Sequence, residues 1–216
     1  MNDFIIIPAH HEQNTIARVI QQAKQYTPNI IVVDDGSSDL TCQEAQQAGA
    51  LVLQHKVNLG KGAALKTGCE YAIQQGAQRL VVMDADGQHD PKEIPSFLTA
   101  LNQYDIAFGT RQVPQSMPFV FKVGNTFINK SLQLFYGIKI GDSQCGYRAF
   151  TAQTYPKIRW DATNYYVETE MIIKAGKKQL KHIQVPIETI YADKYKGTTV
   201  LDGVLIVAKM IGGRLW

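Results

Sequence analysis

No stretch of this 216-residue chain reaches the about 18 uninterrupted apolar residues that a membrane-crossing helix needs. The nearest approach, Thr199 to Trp216, is broken by Asp202, Lys209 and Arg214. Cysteine is scarce. Cys42, Cys69 and Cys145 stand far apart without a CxxC pair, which excludes a disulfide framework and a zinc knuckle and reads as a reducing cytoplasm. The chain runs from Met1 straight into Phe4-Ile5-Ile6-Ile7-Pro8, with no basic region and no small-residue cleavage site, so no secretory signal is expected. Charge of one sign is lacking too: a formal net charge of +3 makes no dense basic face, and nucleic acid is not an expected partner. No Pro/Gly/Ser-rich linker, internal repeat or low-complexity tract marks a boundary, so one domain over residues 1–216 is expected, with 1–113 and 114–216 as its two halves.

What is present is a run of short β-branched segments alternating with helical patterns, the mark of parallel strands joined by crossover helices. Phe4 to Pro8, Ile30 to Val33, Ala50 to Leu53, Leu80 to Met83 and Ile106 to Gly109 read as strands buried on both faces. Ile16, Val19, Ile20 and Ala23 recur at helical spacing, as do Ala64, Leu65, Ala72 and Ile73. The second half reads as an aromatic-rich helix from Pro118 to Gly137, another near Glu168 to Ala175, and a strand around Ile183 to Val185. The expected fold is α/β: a mostly parallel, Rossmann-like central sheet flanked by helices.

In such sheets ligands sit beyond the carboxyl ends of the strands, and the residues there are polar. Asp84-Ala85-Asp86 follows the fourth strand and heads a segment holding three acids, Asp84, Asp86 and Asp90, in seven residues. Carboxylates one residue apart can face one hard cation, Mg2+ or Mn2+, which keeps open positions for the oxygens of a diphosphate leaving group. Gln88 and His89 stand ready as further ligands. A solvated acidic turn is the plain alternative, but without a cation these acids would crowd one another. Asp34-Asp35-Gly36-Ser37-Ser38-Asp39 follows the second strand; capping accounts for Ser38 or Asp39, Gly36 makes the turn, and an acid is left to accept hydrogen bonds from a base or ribose.

Asn58-Leu59-Gly60-Lys61-Gly62 matches neither GxxxxGK[ST] nor GxGxxG, since Leu65 occupies the place of the third glycine. It reads either as a tight turn into a helix or as a backbone that lets a nucleotide approach, with Lys61 near phosphate or sugar. Gly109-Thr110-Arg111 and Gly146-Tyr147-Arg148 each present a guanidinium suited to phosphate oxygens or to a surface ion pair. His10-His11-Glu12 lacks the HExxH spacing, because Thr15 stands where the second histidine would be.

Together, Pro8-Ala9-His10-His11-Glu12, Val32-Val33-Asp34-Asp35-Gly36-Ser37, Asn58 to Gly62, Asp84-Ala85-Asp86-Gly87-Gln88, Gly109-Thr110-Arg111, Asp142-Ser143-Gln144-Cys145-Gly146-Tyr147-Arg148 and Glu188-Thr189 resemble the family 2 glycosyltransferases of GT-A fold. The nearest resemblance is to dolichol- or polyprenyl-phosphate mannose and glucose synthases. The resemblance implies that Pro8, Ala9, Glu12 and Asp35 line a nucleoside pocket in the first half and that Asp84, Asp86 and Gln88 hold the metal. It also implies that Arg111 and Arg148 handle phosphates, that Asp142 lies beside the acceptor in the second half, and that configuration inverts by in-line displacement. The implied donor is a UDP- or GDP-hexose and the implied acceptor a polyprenyl or dolichyl phosphate, whose ionised oxygen needs no strong base; for a hydroxyl acceptor Asp142 is the candidate base. The chain departs from the pattern at His10-His11, where Tyr-Asn is usual, and at Lys194 to Thr199, where Ser-His-Phe-Arg is frequent.

From Lys174 to Lys196 six lysines face only Glu188 and Asp193, and Val200 to Trp216 is apolar on both helical faces. A core helix, a dimer helix in a homo-oligomer, and peripheral contact with the inner face of a membrane all accommodate this pattern. Alternatives to the lipid acceptor are a soluble or saccharide acceptor and a silent sugar-nucleotide-binding protein. A nucleotidyltransferase would need a glycine-rich basic loop directly after the first strand, which is absent.

Overall fold

The computed structural model describes residues 2–111 and 119–188, the side chains of 119–127 excepted. From Phe4 to Ala9 every residue is buried, as a strand covered by helices on both faces must be. This strand, β1 (Asp3–Ala9), runs parallel to β2 (Ile30–Asp34) on one side and to β4 (Arg79–Val82) on the other. Beyond β2 lies β3 (Leu51–Gln54), also parallel. Its sequence suggests a strand buried on both faces, but β3 is the sheet edge, and Leu51 and Gln54 are exposed there.

On the far side of β4 stands β6 (Arg148–Thr151), which the sequence pattern did not announce. It is antiparallel to β4 and to β5 (Ile106–Arg111), while β7 (His182–Ile187) pairs parallel with β5. The resulting seven-stranded order is β3-β2-β1-β4-β6-β5-β7, so strands from both sides of residue 113 share one sheet.

The helices are α1 (Ile16–Ala23), α2 (Thr41–Gln47), α3 (Lys61–Gln74), α4 (Ile94–Ala100), α5 (Phe119–Tyr136), α6 (Tyr155–Ile158) and α7 (Val167–Lys177). They divide the core in two because strand side chains alternate between faces. Ile6, Val33, Val82 and Phe108 pack with α3 and α7 residues on one face. Ile5, Ile7, Val32 and Val81 pack with α1 and α4 residues on the other. Each fully buried isoleucine contributes about 1.5–3 kcal/mol of apolar burial. A Cβ at Gly68 would fall 2.5 Å from Ile6 Cγ2, so the small residue lets α3 press against β1.

This topology places the site. The carboxyl ends of β1, β2, β4 and β5 lie on one edge, and because β6 runs the other way, its start and the preceding 142–147 loop join that edge. Among the described residues no helix is long and apolar enough to cross a membrane. The expected apolar segment Val200 to Trp216 and the Lys194 to Thr199 stretch lie outside the described residues, as does Thr189.

Candidate active site

Past β4 the chain turns through Asp84-Ala85-Asp86 and Gly87, which takes φ +75°. Ala85 is buried at 3% exposure and points inward, so its two flanking carboxylates share the open side. The Gln88 amide donates to Asp86 Oδ1 at 3.0 Å, and the Asp84 amide donates to His89 Nδ1 at 3.1 Å. His89 is buried, stacked on Tyr147 at 5.0 Å, and Tyr147 stacks on Phe97 at 4.4 Å. Since Nδ1 accepts, the ring hydrogen sits on Nε2, 3.8 Å from Asp84 Oδ2. Burial holds the imidazole below its usual pKa, and the neutral ring orients Asp84. Its Nδ1 is thus taken by the Asp84 amide while its Nε2 faces the Asp84 carboxylate.

Asp84 Oδ1 also receives Lys61 Nζ at 2.6 Å, and the same ammonium lies 2.7 Å from Glu168 Oε1. Burial opposes ionisation of Asp84, but the Lys61 charge holds its pKa down to about 2. Lys61 is placed by the start of α3: the Gly62 amide donates to Thr163 O at 2.7 Å and Trp160 Nε1 donates to Gly62 O at 2.7 Å. The first of these bonds consumes a backbone donor that a phosphate loop would keep free, in line with the motif mismatch. Gly146 crosses directly over the pair; a Cβ there would sit 2.7 and 2.9 Å from the Asp84 oxygens and 2.9 Å from Lys61 Nζ.

Asp86 has no ion-pair partner among the described residues. Burial and the neighbouring Asp84 charge raise its pKa, with Glu12 adding to the repulsion. One amide for a carboxylate of about four acceptor positions, beside a second carboxylate, is the donor set that a divalent cation relieves. Among the described residues no group of three or more His, Cys, Asp or Glu side chains forms a complete metal cage. That suits Mg2+ or Mn2+, which keep waters and substrate phosphate oxygens in their coordination shells. Gln88 contacts the group through its backbone amide.

The two arginines are placed differently from each other. Arg148 is 1% exposed, and its guanidinium donates to the carbonyls of Cys145 at 3.0 Å, Glu168 at 2.5 Å and Ser143 at 3.0 Å. It lies 5.2 Å over the Phe108 ring. These bonds tie the 142–147 loop to α7 and keep the guanidinium buried instead of presenting it at the surface. Arg111 Nε donates to Asp142 Oδ2 at 2.6 Å and its Nη2 to Oδ1 at 3.0 Å. Asp142 also accepts the Gln144 amide at 3.2 Å, so it is not a free base.

The ends of β1 and β2 form the other wall. Asp35 N donates to Ala9 O at 2.8 Å, next to Pro8. The Asp35 carboxylate accepts the amides of Leu59 at 2.9 Å and Gly60 at 2.7 Å and contacts His55 Nδ1 at 2.7 Å. It thus fastens the segment entering α3, and Gly36, at φ +72°, nests on Val57. The Glu12 amide donates to Thr41 Oγ1 at 2.8 Å, and the Glu12 carboxylate accepts the Thr15 hydroxyl on Oε2 at 3.0 Å.

Glu168 and Gly146 went unassigned in the sequence. The signal for Glu168 was present: it shares the buried stripe of α7 with Ile172 and Ala175, an acid on an apolar face.

A family model described as glycosyl transferase family 2 matches residues 4–159. An uncharacterized protein of Methanocaldococcus jannaschii is 37% identical over 219 residues, 96% of this chain and 90% of the relative. The UDP-N-acetylglucosamine–dolichyl-phosphate N-acetylglucosaminyltransferase of Methanococcus voltae is 31% identical over 236 residues, covering 96% and 94%. Among solved structures, glucosyl-3-phosphoglycerate synthase of Mycobacterium tuberculosis, in complex with Mn2+, UDP-glucose and phosphoglyceric acid, superposes with a TM-score of 0.78. Its sequence is 19% identical, over 98% of this chain and 79% of that one, which is a likeness of fold.

Proposed function

The chain belongs to glycosyl transferase family 2, and from that membership we propose that it moves a hexose from a UDP- or GDP-sugar to a polyprenyl or dolichyl phosphate at the inner face of a membrane. The observation that carries the reading is the Asp84–Asp86 pair at the end of β4, with Asp86 unpaired by any cationic side chain among the described residues. Asp84 and Asp86 hold Mg2+ or Mn2+, with Gln88 beside them. When bound, the cation stabilises charge building on the departing nucleoside diphosphate. Pro8, Ala9 and Glu12, with the turn fixed by Asp35 and Gly36, wall the nucleoside. Arg111, alongside its pair with Asp142, lends positive charge to the phosphates. An acceptor phosphate oxygen attacks the anomeric carbon opposite the diphosphate, and configuration inverts.

Two observations favour a phosphate acceptor over a hydroxyl. The Methanococcus voltae relative is named for dolichyl phosphate. Asp142, the obvious base, has both oxygens committed to Arg111, and an ionised phosphate needs no base. The test is nucleoside diphosphate release with Mn2+ and each of UDP-glucose, UDP-N-acetylglucosamine and GDP-mannose, with and without polyprenyl phosphate or phosphoglyceric acid. Release that depends on the lipid supports the proposal. Release driven by the soluble acid, or indifferent to lipid, overturns the acceptor, and binding without turnover in every mixture overturns the enzyme.

A further inference from the structure

Lys61 bridges two carboxylates on different elements, 2.6 Å from Asp84 Oδ1 and 2.7 Å from Glu168 Oε1. Glu168 is 5% exposed, and its second oxygen, Oε2, is buried with no hydrogen-bond partner. Buried carboxylate oxygens are normally satisfied, so this one is unused capacity on the very carboxyl that holds the ammonium. Asp84, by contrast, faces the position where a divalent cation would sit. Sharing Asp84 between an ammonium at 2.6 Å and a divalent cation is unfavourable, because the two positive charges repel at that range.

We propose that Lys61 is an internal stand-in for the divalent cation and that Glu168 is the carboxylate that receives it when the cation takes Asp84. This rests on the reading of Asp84 and Asp86 as cation ligands. The surroundings leave the ammonium this one anionic destination among the described residues. Gly146 closes one side, since even a Cβ there would come within 2.9 Å of Lys61 Nζ, and the Tyr165 ring lies 5.7 Å away on another. The Lys61 backbone stays fixed while the head moves, because the Gly62 amide and carbonyl are held by Thr163 O and Trp160 Nε1. Without the cation, Lys61 spares Asp84 from facing Asp86 uncompensated. With it, the displaced ammonium and Glu168 form a neutral pair. Glu168 is thus a positioning residue that sets cation affinity through Lys61.

The test is Mn2+ binding to the full chain in the presence of UDP and of GDP, read from the paramagnetic resonance signal of free Mn2+. Wild type, Glu168→Gln, Lys61→Met and the double variant are compared, with melting temperature as a fold check and Asp86→Asn as the control on the site itself. Glu168→Gln is expected to weaken binding about tenfold, by stranding Lys61 on Asp84, and Lys61→Met to tighten it about tenfold. In the Lys61→Met background, Glu168→Gln is expected to change affinity by less than about threefold, since its effect acts through the lysine. Equal effects of Glu168→Gln with and without Lys61 overturn the handover, as does unchanged affinity in the single variant. If Glu168→Gln fails to fold, Glu168→Asp, which shortens the reach, reads the same competition. Loss of binding in Asp86→Asn alongside a failed handover leaves the cation site standing, whereas no Mn2+ binding by wild type overturns both.

Discussion

Arg111 grips Asp142 through two parallel hydrogen bonds, Nε to Oδ2 at 2.6 Å and Nη2 to Oδ1 at 3.0 Å, with the carboxylate only 4% exposed. A carboxylate held this way has both oxygens engaged by one guanidinium. Asp142→Asn is therefore expected to lower turnover on a phosphate acceptor by no more than about tenfold and to leave the pH-rate profile in place. General bases contribute about 10²–10⁴-fold, so a loss in that range together with a vanished basic limb would restore Asp142 as a base.

Arg148 donates to three backbone carbonyls from a buried position. Arg148→Met strands those acceptors and is expected to cost at least about 3 kcal/mol in urea unfolding. Nucleotide affinity of the folded fraction is expected to stay within about threefold, as the buried guanidinium is engaged by backbone carbonyls. A protein of full stability with nucleotide affinity lost would assign Arg148 to phosphate after all.

Gly146 passes so close to Asp84 that a Cβ would lie 2.7 and 2.9 Å from its oxygens. Gly146→Ala must push the carboxylate or the loop aside. Turnover is expected to fall about 100-fold, the effect of misplacing a reacting centre by about 1 Å. The stability cost is expected to be about 1–3 kcal/mol by urea unfolding. Turnover equal to wild type would show that this contact does not position Asp84.

The sequence exposed some of this arrangement and hid the rest for physical reasons. Strands β1, β2, β4 and β5 were legible because continuous apolar runs end in acidic or glycine-rich turns, and Asp84 and Asp86 were legible because the chain itself places them together. β6 was not legible, since Arg148-Ala149-Phe150-Thr151 is four residues long and opens on an arginine that burial would normally reject. Arg148 looked like a phosphate ligand because only the folded chain gathers the three carbonyls that occupy it. Lys61 and Glu168 belong to separate helices, α3 and α7, and no spacing rule connects them.

The Asp84 pKa is depressed from its ordinary 3.8 to about 2, chiefly by Lys61 against the opposing effect of burial. A depressed carboxylate stabilises the folded state above its unfolded pKa and loses that stabilisation as pH falls through the folded value. The wild type is thus expected to lose about 2 kcal/mol from this group between about pH 4 and pH 2. Lys61→Met removes the depressing charge, so the stability gap between the variant and wild type narrows across that window. A gap that stays constant in urea unfolding at pH 4.5 and pH 2.5 would contradict the pairing.

The central claim, that Asp84 and Asp86 together hold the cation against a sugar nucleotide, is tested most directly by Mn2+ titration of turnover in wild type and Asp86→Ala. With the donor that supports release, wild type is expected to show saturable Mn2+ activation, and Asp86→Ala to lose at least about 10³-fold while unfolding at the same urea concentration. Wild-type turnover in Asp86→Ala, or activity in wild type that is unchanged by chelating the metal, would contradict it.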